Sequence, residues 1–267
     1  MKLKQISLFS LALGLCVISI AHEYWIAPSK YLVQASEPFS FNCYVGEDFK
    51  PEVWARRKER TLLVSRFHLA DKTNITPDFV SNDSVKIPMT LKDPGNYLFA
   101  LASKPSYIEL EAKAFNDYLK EDGMNNILDY RISNKLDGKR SREFYQRCAK
   151  SLIQVAGKND ETYKLNTGMP LEIIPQENPY ESNGELEVYF DFKGKPLENY
   201  QVRTWCKKKN GKLIVKAFHK TNERGIAILP IKESGEWMIS VVKMELSKVT
   251  DKADYESYWG SYTFYKK

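Results

Sequence analysis

Three histidines occur in the 267 residues, His22, His68 and His219, and the first stands where it could bind a metal. Ser19-Ile20-Ala21 precedes it, with small residues at the third and first places before a cut. Cleavage after Ala21 would leave His22 with a free α-amine beside its imidazole, two nitrogens able to chelate one ion. The amine titrates near about 8 and the imidazole near about 6.5, so both are available as ligands around neutral pH. Nitrogen donors of this kind suit copper, nickel or zinc. Glu23 could add an oxygen, although an exposed carboxylate is the ordinary state of a glutamate.

His68 sits in Leu62 to Leu69, where a strand could bury it, and His219 shares the phase of Leu213, Val215 and Ala217. A lone histidine in a strand is ordinarily structural, and one of these would have to approach His22 across the fold to complete a tight site. With so few histidines, a closed zinc site of cysteine and histidine is not expected. Cys43, Cys148 and Cys206 have no C-x-x-C spacing. An oxidising compartment would permit one disulfide with a thiol left over, but the expectation is three small buried hydrophobes.

Lys2 and Lys4, an apolar run from Ile6 to Ile20 and the small residues before His22 form the three parts of a secretory signal peptide. The run is shorter than the roughly 20 residues of a membrane span. Cys16 follows the bulky Leu15, which argues against lipidation. Residues 1–21 are therefore expected to be removed, leaving no transmembrane segment in a periplasmic or envelope protein. Removing Lys2 and Lys4 lowers the charge from 40 − 34 = +6 to 38 − 34 = +4. That balance is weak, and nucleic acid is not an expected partner.

Period-two alternation places Phe39, Phe41, Cys43 and Val45 on one strand face. It recurs at Val85, Ile87, Met89 and Leu91, and at Tyr97, Phe99 and Leu101 after the Asp93-Pro94-Gly95-Asn96 turn. Phe115, Tyr118 and Leu119 stand instead at helical spacing, with Gly123 to stop the helix. Ser141 is read as the cap of a second helix lined by Phe144, Cys148 and Leu152. Alternation returns at Leu186, Val188, Phe190 and Phe192, and again around Trp237, Ile239 and Val241. The expected fold is mainly β, with two β-sandwich domains of Ig-like or prealbumin-like kind, at 22–113 and 158–267, joined by a helical insert at 114–157.

No G-x-S-x-G elbow, H-E-x-x-H helix, phosphate loop or dinucleotide fingerprint is present, so no catalytic residue is assigned. Glu172, Asp254 and Glu256 are read as strand-flanking charges facing water. The aromatics near the C-terminus, among them Tyr255, Tyr258, Trp259, Tyr262 and Phe264, are expected to bury one face and leave the other available.

In sequence order, the chain carries His22-Glu23-Tyr24-Trp25-Ile26-Ala27-Pro28, Lys104-Pro105-Ser106-Tyr107-Ile108-Glu109-Leu110, Cys148-Ala149-Lys150-Ser151-Leu152, Leu171-Glu172-Ile173-Ile174-Pro175 and Asp254-Tyr255-Glu256-Ser257-Tyr258-Trp259-Gly260. With these segments it resembles the bacterial domain-of-unknown-function family DUF4198, whose members are often labelled nickel-uptake-associated. The resemblance implies a periplasmic accessory protein binding a transition-metal ion, nickel, cobalt or copper, beside a membrane metal transporter or outer-membrane receptor. In relatives a His-Met pair often follows the last glycine-tryptophan step, whereas here Lys243 precedes Met244. The alternative is a non-catalytic envelope module that scaffolds a protein or glycan partner.

Overall fold

The computed structural model describes residues 23–54, 58–80 and 86–267. Strand accounts for 51% of the described residues and helix for 12%, so the expectation of a mainly β protein holds. His22, the proposed leader and Val85 lie outside the described residues.

Among the described residues, one ten-stranded sheet forms the middle layer, in the order Leu213–Lys220, Gln201–Lys207, Gly235–Leu246, Tyr255–Lys266, Ser141–Val155, Gly95–Ser103, Thr61–His68 and Asp71–Asn74. Leu32–Val33 and Ser106–Leu110 also pair with Ser141–Val155. A four-stranded N-terminal sheet (Glu23–Pro28, Phe39–Gly46, Glu52–Val53, Ile87–Met89) covers part of one face. A four-stranded C-terminal sheet (Leu171–Pro175, Glu185–Phe192, Lys195–Pro196, Ile226–Pro230) covers the other.

Strand Gly95–Ser103 shows why the middle layer is apolar on both sides. Tyr97, Phe99 and Leu101 pack with Ile26, Phe39 and Phe41, while Leu98 and Ala100 pack with Ile173, Val188 and Phe190. Successive side chains alternate across a sheet, so every residue of this strand is buried.

The segment expected to be a helical insert is corrected in its second half. Ser141–Val155 is a strand, antiparallel to Gly95–Ser103 and parallel to Tyr255–Lys266, so it joins both halves of the chain in one sheet. Cys148 and Leu152 have the four-residue spacing of a helix, but Ala149, Ile153 and Val155 are buried on the opposite face. A strand buried on both faces has an apolar run without a readable period. The first helix stands as expected, at Ala112–Glu121 with Phe115, Tyr118 and Leu119 buried. A second, Asn125–Ser133, follows Gly123. Both cover the central sheet over Val242, Met244, Tyr255 and Trp259. The C-terminal aromatic strand therefore has no free face: Tyr258 and Tyr262 join the core under the C-terminal sheet, and Trp259 the helical one. No helix among the described residues is long and apolar enough to cross a membrane.

Candidate functional site

The strand Glu23–Pro28 pairs Glu23 with Gly46, so the first described residue lies beside the turn that follows Phe39–Gly46. In that turn Asp48 and Phe49 have φ of 52° and 59°, the left-handed region that disfavours non-glycine residues. Phe49 is held by burial against Trp25, at 5.1 Å between ring centroids. Gly46 permits the close return of the chain, because a Cβ there would lie 1.8 Å from the Lys50 carbonyl oxygen. Gly46→Ala is expected to destabilise the protein by about 1–3 kcal/mol, the usual range for overpacking, measured by urea unfolding.

Glu23 is 3% exposed. Its Oε1 lies 3.0 Å from Nη2 of Arg203, and Nη1 of the same arginine lies 2.5 Å from Oδ1 of Asp122. One guanidinium thus ties together the N-terminal sheet, the end of the first helix and the central sheet. Burial acts to lower the Arg203 pKa, but Glu23 and Asp122 outweigh it and hold the group above its ordinary value. Above these groups opens a cleft of about 200 Å³ lined by Glu23, Glu47, Asp48, Glu121 and Asp122 against Arg203 and Lys216. Lys216 pairs with Asp48 at 2.5 Å. Two cations against five carboxylates give 2 − 5 = −3.

Among the described residues no group of three or more histidine, cysteine, aspartate or glutamate side chains is arranged to hold a metal ion. Glu23 and Asp122 already face a guanidinium, so these carboxylates do not by themselves fit a transition-metal centre. His22, which would supply the nitrogens, lies outside the described residues.

The structure does not bring the other two histidines together. His68 stacks on Tyr97 at 4.1 Å, its Nδ1 lies 3.0 Å from the Asn96 carbonyl, and Asp160 is 3.9 Å away. His219 Nε2 meets the Thr204 hydroxyl at 3.0 Å, and burial lowers its pKa. Their strands are six strand-to-strand steps apart in the central sheet, on the order of 29 Å along it. Each has the satisfied environment of a structural histidine. Cys43, Cys148 and Cys206 are free and buried, and burial pushes the Cys148 and Cys206 thiols up to about 12. They behave as the small hydrophobes expected. Lys243 donates to the Tyr200 hydroxyl at 2.7 Å, and Met244 is buried.

Sequence reasoning missed the buried charges. Glu172, expected to face water, is fully buried and paired with Lys150, itself 1% exposed. Glu172 Oε1 accepts from Thr167 N, Thr167 Oγ1 and Met169 N at 3.0, 2.7 and 2.8 Å. Lys150 donates to the Leu165 and Ile173 carbonyls at 3.1 and 3.2 Å. This cluster pins the central sheet to the C-terminal sheet. The signal was a single lysine inside the otherwise uncharged run Cys148 to Val155.

No curated protein matches the sequence. Among solved structures, the three N-terminal domains of the Highly Immunogenic Outer Capsid protein of bacteriophage RB49 share 11% identity. That alignment covers 91% of this chain and 59% of that one, at a TM-score of 0.20. A DUF3823 family protein from Bacteroides uniformis shares 7% identity over 92% of this chain and 100% of that one, at a TM-score of 0.22. At such scores neither likeness bears on fold or function. The family model for a domain of unknown function, DUF4198, matches residues 19–245, and the chain belongs to that family.

Proposed function

We propose that this chain is an exported envelope protein that binds one transition-metal ion, nickel, cobalt or copper, at its mature N-terminus for uptake or delivery. The α-amine and imidazole of His22 are the ligands, and the partner is a membrane metal transporter or an outer-membrane receptor. The observation that carries this reading is the anchoring of Glu23 by Arg203 at the wall of a cleft with five carboxylates and two cations. A cleft of net negative charge concentrates cations, and strand Glu23–Pro28 begins at its wall. Glu23 itself serves as an anchor, because its carboxylate is turned toward the guanidinium. His68 and His219 take no part.

A second reading, a metal-free module that scaffolds a protein or glycan, is favoured by the same arginine, because Arg203 already fills the cationic place between Glu23 and Asp122. N-terminal sequencing of the exported protein separates the two. The metal reading predicts that the material begins at His22. A mature chain starting at any other residue never carries the amine and imidazole together, and leaves the scaffolding reading.

A further inference from the structure

Beneath the helix Ala112–Glu121, the central sheet presents a carboxyl group without a counter-ion among the described residues. Glu143 is 1% exposed. Its Oε1 accepts from the Tyr118 hydroxyl of that helix at 3.0 Å and from the Ser257 hydroxyl of the neighbouring strand. Trp259 Nε1 donates to the same Ser257 oxygen at 3.1 Å. Glu143 Oε2 is buried with no hydrogen-bond partner among the described residues.

The groups around it do not neutralise it. Asp122, on the same helical segment as Tyr118, adds like charge. Arg131 of Asn125–Ser133 donates to Asn116 Oδ1 at 2.9 Å, to the Lys139 carbonyl at 2.7 Å and to the Ser141 hydroxyl, and lies 4.9 Å from the Phe115 ring. Arg147 is four residues along the same strand face, about 13 Å away, and lies over the rings of Tyr24 and Tyr145 at 5.0 and 5.4 Å. Tyr255, opposite Glu143 in the parallel pair, turns its hydroxyl toward Arg131, and Ile108 on the other side is apolar.

We propose that Glu143 is a proton-operated latch for the helical pair. Protonated, it is a neutral group that seats Ala112–Glu121 and Asn125–Ser133 on the central sheet; deprotonated, it is an uncompensated buried charge that loosens them. Burial raises its carboxyl from 4.5 to about 7, against the two hydroxyl donors that favour the ionised form. The folded state therefore holds this proton more tightly than the unfolded chain. The stabilisation is complete below the unfolded value and is lost as pH rises toward the folded one, the reverse of an ordinary paired carboxylate. A carboxyl raised from 4.5 to about 7 gives an effect on the order of 300-fold in an opening equilibrium, of which on the order of 30-fold falls between about pH 5.5 and pH 8. Glu121 and Asp122 end the latched helix and form one wall of the acidic cleft, so the latch would also set that wall. This last consequence rests on the cation reading of the cleft, whereas the latch does not.

The test is amide hydrogen exchange of the intact protein across this pH range, corrected for the intrinsic rate. Protection over residues 112–133 is expected to fall about 30-fold as pH rises, and to stay level in Glu143→Gln. Ser257→Ala removes a donor that favours the ionised form, so its transition should move to higher pH. A level wild-type profile, an unchanged pH response in Glu143→Gln, or a transition in Ser257→Ala that stays put or moves down would each overturn the latch. Nickel titration of the same samples keeps the two ideas apart: lost protection without metal binding leaves the latch standing, and metal binding with level protection leaves the cleft.

Discussion

Glu172→Ala is expected to destabilise the protein by about 3–5 kcal/mol, the loss incurred when one partner of a buried ion pair is removed. The pair is enclosed between two sheets, at 1% and 0% exposure, so water cannot take the place of the missing carboxylate. The substitution strands the Lys150 ammonium, and it also leaves Thr167 N and Met169 N without the oxygen they share. Burial already lowers the Lys150 pKa while Glu172 acts to raise it, so without Glu172 the folded state will favour the free base. The unfolded chain then binds more protons than the folded one, and the deficit should shrink as pH rises toward the lysine range. Replacing both partners by apolar groups, Lys150→Met with Glu172→Leu, should recover most of the loss. Urea unfolding of the two variants checks this, and a loss below about 1 kcal/mol in Glu172→Ala would show the pair to be solvated.

Arg203→Met is expected to have an effect of similar size, about 3–5 kcal/mol, by removing the charge that Glu23 and Asp122 share. Arg203→Lys should fall in between, because an ammonium keeps the charge but lacks the planar fork that reaches two carboxylates. The two readings of the cleft predict different affinities for cations in this variant. Removing the guanidinium takes the cleft from −3 to 1 − 5 = −4. If the cleft gathers metal ions, a folded Arg203→Met should bind nickel more tightly than the wild type despite its lower stability. If the arginine is itself the resident cation of a purely structural lock, the variant should lose stability and gain no metal affinity.

Two strands of this fold are legible in the sequence because one of their faces is wet. Phe39, Phe41 and Cys43 alternate with half-exposed residues, and Leu186 and Val188 alternate with exposed glutamates, so period two survives in the residue types. The helix over Phe115, Tyr118 and Leu119 was legible for the same reason. Ser141–Val155 was not, because its Cys148 and Leu152 face one sheet while Ala149 and Ile153 face another. Its parallel pairing with Tyr255–Lys266 joins segments more than a hundred residues apart, and no local signal encodes that. The same burial hid Glu143, Lys150, Glu172 and Arg203, since a charged residue in a strand ordinarily faces water. Glu23, read as an additional oxygen donor that ordinarily faces water, is instead buried against Arg203. Its apparent partners His68 and His219 proved to be strand histidines bonded to Asn96 and Thr204.

The most direct measurement is a calorimetric titration of nickel and copper into two forms of the protein, one beginning at His22 and one with a single alanine added ahead of it. The extra residue moves the free amine off the histidine and leaves every group described in the structure in place. The account predicts stoichiometric binding to the first form, and in the second a loss of affinity greater than the about 10- to 100-fold that removing a merely supporting contact costs. Equal affinity in the two forms, or binding to neither, would contradict it.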